Sequence, residues 1–215
     1  MIFAIITCDF FVCLLSYALQ AITISKELCF RVLLKLMNMD ASSTFQDSLP
    51  ITSDQLLEML SEEGFEFQCI DHIPLRTVAE SKQVRDGFLS KEEGGGHIKN
   101  LYLRDRKKNN FLVVLPEDLE LDLKVLSTLI SSTRLSFGST DRLFDILGVR
   151  PGAVTPFAMM TGIHHNVTLY LDSRLRGVKY LYMHPLVNDR TVAMKPADVE
   201  TFLQQQGVTV NWLHL

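Results

Sequence analysis

A chain of 215 residues holds one ordinary domain with something left over and can bury a sizeable core. Its apolar fraction of 47% and charged fraction of 21% are those of a soluble globular protein, and a formal net charge of -4 excludes a global field that attracts polyanions. Any nucleic-acid contact therefore rests on a local basic patch. Cys8, Cys13 and Cys29 lie in the first thirty residues and only Cys69 lies beyond them, which is no disulfide framework and suits a reducing, cytoplasmic setting. Cys69 and His72 have the inner spacing of a metal half-site, but no second pair completes four ligands, so no metal is expected.

Residues 2–24 form an apolar run that approaches the length of a membrane span. As a signal peptide it lacks early positive charge, since no Lys or Arg precedes Lys26, and Leu19, Gln20 and Ala21 match a cleavage site poorly. As a span it places Asp9 in hydrocarbon, at a cost of roughly 2.5 to 3.5 kcal/mol. A third reading starts the working protein near Met37 or Met39, where composition turns polar from Asp40 onward. On this preferred reading residues 1–45 are an extension and 46–215 the functional domain; a membrane anchor applies only if residues 2–24 are retained.

Thr52 and Gln55 make a capping-box pattern ahead of Leu56, Leu57, Met59 and Leu60, and Gly64 stops the predicted helix. Residues 66–71 alternate like a strand, and Thr77 with Glu80 gives a second capping box for a short helix. After three glycines at 94–96, residues 97–103 and 111–115 read as a hairpin whose solvated tip carries Arg104, Arg106, Lys107 and Lys108. Helices are predicted around 123–130 and over 140–147, then strands over 167–171, 179–183 and 191–194. Pro196 opens a last helix, Gly207 stops it, and residues 208–212 form a final strand. Hairpins and short helices in this order predict an α+β fold around a mixed, largely antiparallel sheet with flanking helices. GxGxxG, Walker, GxSxG and HExxH patterns are absent from the sequence.

Three polar stretches stand out, at 96–105, 148–157 and 183–188. Taken singly, Lys99 reads as a snorkelling strand residue, Gly152 and Pro156 as turn formers, and His184 as a satisfied core histidine. The adjacent His164 and His165 point to opposite faces if on a strand and so do not serve one ion.

Together the Lys99–Asn100 strand with its basic hairpin, the GVRPGAVTPF loop and the HPLVN strand resemble, in order and spacing, the YbaK and prolyl-tRNA synthetase editing-domain superfamily. Within it the chain resembles the freestanding alanyl-tRNA(Pro) deacylases, over roughly residue 50 to the C-terminus. Residues 157–165 depart from the family's polar turn, and Asp189 and Arg190 stand where small or hydroxylated residues are usual.

The resemblance implies a partial barrel and trans-editing hydrolysis of the ester of mischarged tRNA(Pro), with Ala-tRNA(Pro) as the expected substrate and without a cofactor. It assigns Lys99, Gly152 and His184 to catalysis, and Asn100, Ala153, Val154, Thr155, Pro156 and Asn188 to substrate binding. The hairpin cations Arg104, Arg106, Lys107 and Lys108 are candidates for acceptor-stem phosphates. The partners implied are the acceptor end of mischarged tRNA and prolyl-tRNA synthetase, and not DNA or a membrane. Two other readings stay open: a Cys-tRNA(Pro) deacylase of the YbaK type, and a non-catalytic module that docks on tRNA or a synthetase.

Overall fold

The computed structural model of the protein describes residues 40–75, 77, 80 and 87–215. The apolar run at 2–24 and the start near Met37 or Met39 lie outside the described residues. Asp40–Leu215 forms one compact unit. Ala41 and Ser42 are buried in it, so this compact unit includes residues 40–45, which the sequence places in the extension. Among the described residues no helix is long and apolar enough to cross a membrane.

Helix α1, Ser53–Glu62, starts on the predicted capping box. The Gln55 N–H donates to Thr52 Oγ1 at 3.1 Å and the Thr52 N–H to Gln55 Oε1 at 2.9 Å, satisfying two donors that helix geometry leaves orphaned. Leu56 and Leu60, one turn apart, are fully buried. The second box also closes, between Thr77 and Glu80 at 2.9 and 3.2 Å; the helix predicted to follow it falls mostly outside the described residues. Among the described residues four more helices follow: α2 Leu123–Leu129, α3 Thr140–Leu147, the single turn α4 Met159–Gly162, and α5 Pro196–Gln205.

The strands are β1 Phe67–Asp71, β2 Gly95–Arg104, β3 Asn110–Pro116, β4 Ser136–Phe137, β5 Val167–Asp172, β6 Tyr180–Met183, β7 Arg190–Met194 and β8 Val210–Leu213. They pair in the order β1-β7-β6-β2-β3-β5-β8, with β4 on β2. Among the described residues four ladders are antiparallel and three parallel, giving the mixed sheet with flanking helices that the element order predicts. The sequence reading misses β4, whose two residues are too few to show a period. It also starts β8 two residues early, because the Val208 N–H is spent closing α5 on the Leu203 carbonyl at 2.9 Å.

The central strand β3 explains the placement of the core. Leu112 and Val114 point into the main cluster with Leu169, Leu171 and Phe157, whereas Phe111, Val113 and Leu115 point into a second cluster with Leu103, Leu126 and Leu135. Strand alternation thus buries both faces of a continuous apolar run.

Candidate active site

Strand β2 carries the first predicted motif, and its two faces serve different surroundings. Asn100 is opposite Val114 and Tyr102 opposite Leu112, both partners in the main core; Lys99 is opposite Leu115 and Leu101 opposite Val113, both in the second. Lys99 and Asn100 therefore point to opposite faces, as period-two alternation requires. The charge of Lys99 reaches Asp118, whose carboxyl is held below its usual range chiefly by the hydrogen bond from Lys91 and in lesser part by Lys99.

The 152–156 loop hangs on a tight turn. The Ala153 N–H donates to the Arg150 carbonyl at 3.0 Å, with Pro151 and Gly152 between them and Gly152 at φ +94°. Proline then left-handed glycine is the signature of a type II turn, which only glycine enters without strain. Ala153, Thr155 and Pro156 are buried, and Pro156 opens a short 3-10 turn closed by the Ala158 N–H on the Thr155 carbonyl at 3.1 Å. Strand and loop are latched together: Asn100 Nδ2 donates to the Val154 carbonyl at 2.8 Å. With its nitrogen so engaged, Asn100 Oδ1 is left buried without a partner among the described residues, as are Thr155 Oγ1 and Asn188 Oδ1. An unsatisfied buried group of this kind costs about 1 to 3 kcal/mol, which a polar ligand offsets by supplying the missing bond.

Asn100 also lines a cavity of about 70 Å³ with Ile98, Phe88, Tyr182, His184 and Thr191. His184 Nδ1 lies 2.8 Å from the Arg190 carbonyl, which makes Nδ1 the protonated nitrogen and leaves Nε2 with its lone pair. Burial pushes the His184 pKa down, against the upward pull of the Arg190 carbonyl. His72, at a ring distance of 5.9 Å, has both nitrogens committed, Nδ1 to the Ile73 carbonyl and Nε2 to Thr191 Oγ1, each at 2.8 Å. The HPLVN segment ends in Asn188, whose backbone accepts from the Leu75 N–H at 2.8 Å.

A second cavity of about 580 Å³ shares Phe88, His97 and Glu117 with the first. Its floor is Gly95, where a Cβ would meet the Leu89 carbonyl at 2.0 Å, so the 88–90 segment packs on bare backbone.

Of the sequence-predicted residues, Asn100 and His184 thus line one cavity, and Val154 is joined to it through the Asn100 amide, with Gly152 holding the turn behind. Lys99 is on the far face of β2. The hairpin tip stands away from the cavities, with Arg106, Lys107 and Lys108 exposed and Arg104 half-buried. The tip's one acid is turned inward: Asp105 is 6% exposed and accepts from Asn109 N and Nδ2 at 2.9 and 3.0 Å. The exposed His164 and His165 lie on a 3-10 turn.

Sequence reading missed Phe88, Tyr182 and Thr191 in the cavity wall, and Arg150 behind the loop. Arg150 alone left a signal, as a charge between Val149 and Pro151 in an otherwise apolar stretch.

The neutral His184 sets a pH dependence. Its folded pKa lies below the ordinary 6.5, so the unfolded chain takes up the proton first, and stability is lost as pH falls from about 6.5 through the folded value. Urea midpoints at pH 7 and pH 5 are expected to differ less in His184→Gln than in the parent; an equal acid loss in both would remove His184 as the cause.

Residues 72–202, which contain all three motifs, match the family model described as an aminoacyl-tRNA editing domain. The chain is 33% identical to the prolyl-tRNA editing protein ProX of Acetoanaerobium sticklandii over 161 residues, covering 74% of this chain and 95% of that protein. It is 34% identical to prolyl-tRNA synthetase associated domain-containing protein 1 of Danio rerio, over 70% of this chain and 80% of that protein. A crystal structure described as a proposed trans-editing enzyme for prolyl tRNA synthetase superposes with a TM-score of 0.55 at 21% identity, covering 75% of this chain and 96% of that one, and so shares the fold. By sequence match, motif order and architecture, the chain belongs to the aminoacyl-tRNA editing domain family.

Proposed function

We propose that the protein is a trans-editing aminoacyl-tRNA deacylase that hydrolyses the ester of mischarged tRNA(Pro), with Ala-tRNA(Pro) as its substrate. The observation that carries this reading is the latch between Asn100 and the Val154 carbonyl, which ties a glycine-turned loop to a strand residue that lines the cavity of His184. An activated ester needs a positioned water and a preformed oxyanion site, and a rigid loop backbone offers N–H donors at no reorganisation cost. Water oxygen attacks the acyl carbon, the carbonyl oxygen becomes the oxyanion facing the loop, and the bond to the ribose oxygen breaks as that oxygen takes up a proton. Free amino acid and tRNA leave.

In this reading the unpartnered Asn100 Oδ1 accepts from the substrate's α-ammonium, and the His184 ring, neutral at pH 7, shapes the cavity. The cavity of about 70 Å³ beside Asn100 and His184 suits a small acyl group such as alanine. Lys99, on the other face, acts as a point charge toward the substrate's phosphodiester rather than within the acyl pocket. Prolyl-tRNA synthetase is the partner that supplies the mischarged substrate.

Incubation of the purified chain with Ala-tRNA(Pro), Cys-tRNA(Pro) and Pro-tRNA(Pro) tests this, with release of alanine and retention of proline expected. Preference for cysteine would transfer the chain to the other branch of specificity, and release of none would leave a tRNA-docking module. Exposure of Arg106, Lys107 and Lys108 beside the half-buried Arg104 supports a phosphate role for this cluster. Neutralising all four is expected to flatten the slope of log affinity against log salt by up to about 3. An unchanged slope would place the stem elsewhere.

A further inference from the structure

The two loops of the site are not in contact with each other in sequence or in one sheet ladder, yet a single upstream segment binds both. Residues 43–48 form a 3-10 turn, with Ala41 and Ser42 buried just before it. At one end the Asn188 N–H donates to the Ala41 carbonyl at 2.8 Å, and the Asp189 carboxylate accepts from the Ser43 N–H at 2.9 Å and the Ser43 hydroxyl at 2.7 Å. At the other end Arg150, first residue of the Gly152 turn, donates through Nη1 to the Phe45 carbonyl at 3.2 Å and through Nη2 to Ser48 Oγ at 2.5 Å. The Ser48 hydroxyl in turn donates to the same Phe45 carbonyl at 2.6 Å.

Arg150 is an expensive residue to place there. It is 2% exposed, its guanidinium forms no ion pair and its Nε no hydrogen bond with a described residue, and the ring of Phe144 lies 5.6 Å from its charge centre. Burial depresses its pKa, opposed by the charge of Asp40 on the same upstream segment. A buried cation satisfied by backbone and hydroxyl oxygens, rather than by a carboxylate, stabilises weakly but fixes geometry tightly. Asp189 is the other anchor, and its carboxylate is engaged by the upstream segment.

We propose that residues 41–48 are a positioning clamp of the active site, which sets the 152–156 loop relative to the 184–188 segment through Arg150 and Asp189. The inference rests on the deacylase reading for its catalytic consequence and on geometry alone for the coupling. Arg150 and Asp189 are positioning residues: neither lines the 70 Å³ cavity. A displacement of about 1 Å in a catalytic loop costs up to about a hundred-fold in rate, so a clamp of this kind acts on kcat more than on KM.

The test uses the full chain with Arg150→Lys, Asp189→Ala and the milder Ser48→Ala, the last removing one exposed hydroxyl and no buried side chain. Amide hydrogen exchange is read at both loops without substrate. Asp189→Ala is expected to raise exchange at Val154 and Thr155, and Arg150→Lys or Ser48→Ala to raise it at Val187 and Asn188, each by about ten-fold or more. Deacylation should lose kcat by about ten-fold or more with KM within about two-fold, in variants that keep the parent's circular dichroism. Exchange that rises only beside the substituted residue in folded variants would overturn the clamp, whether or not the parent deacylates. A parent without deacylase activity but with cross-loop exchange would instead overturn only the function reading.

Discussion

Gly152→Ala is expected to lower kcat for Ala-tRNA(Pro) by about a hundred-fold or more while leaving the fold intact. At φ +94° an alanine is strained by about 1 to 3 kcal/mol, and the chain relieves that strain by rotating the 151–154 backbone. The turn bond from the Ala153 N–H to the Arg150 carbonyl is the first to yield, and the N–H groups that follow lose their aim. Because those donors act on charge that develops only in the transition state, binding of the ground-state ester changes little and KM stays near its parent value. The loop is short and its strain local, so thermal unfolding should shift by only a few degrees. Steady-state kinetics with a melting curve on the same preparation decides it; an unchanged kcat would show that the loop backbone is not the oxyanion site.

Asn100→Asp should be the more damaging change, and its damage should depend on pH. The substitution keeps size but exchanges an N–H donor for a carboxylate oxygen against the Val154 carbonyl, 2.8 Å away in the parent. A lost bond with a buried charge left unpaired costs about 1 to 3 kcal/mol or more, and activity should fall at least about a hundred-fold as strand and loop part. Burial and the facing carbonyl raise the new carboxyl's folded pKa above the ordinary value near 3.9. Stability relative to the parent is therefore restored as pH falls below the folded pKa, where a protonated carboxyl donates to Val154, and is lost as pH rises through it. Asn100→Ala removes the latch without adding charge, so its deficit should be smaller and flat with pH. Denaturant midpoints of the two variants between pH 5 and pH 8 separate these cases, and parallel profiles would mean that residue 100 contributes no latch.

Both variants act on features of different legibility. The Gly152 turn is local: a proline before a glycine in a loop already specifies the left-handed position, and φ +94° is what that pair predicts. The latch is not local. That Lys99 and Asn100 face opposite ways follows from the period of a strand, but which face meets the loop depends on β3, β5 and the packing of Phe157, all distant in sequence. Sequence reading accordingly grouped Lys99 with the catalytic loop, and the tertiary structure separates them across the sheet. His184 is intermediate, since its motif is readable while its tautomer is set by the Arg190 carbonyl six residues on.

By itself the sequence determined α1, α2, α3 and α5, through caps and apolar residues one turn apart, and most strands, through alternation and glycine or proline stops; the single turn α4 carried no such signal. These are short-range effects in which neighbouring residues decide one another's backbone. It also carried the three ordered motifs from which the family was identified. Only the tertiary structure decided where the domain begins, because residues 41–48 have no apolar period of their own and gain their place by hydrogen bonds to residues more than a hundred positions away. Arg150 and Asp189 acquire roles for the same reason. A buried guanidinium is tolerable only where specific oxygens converge on it, and that convergence is a property of the folded chain.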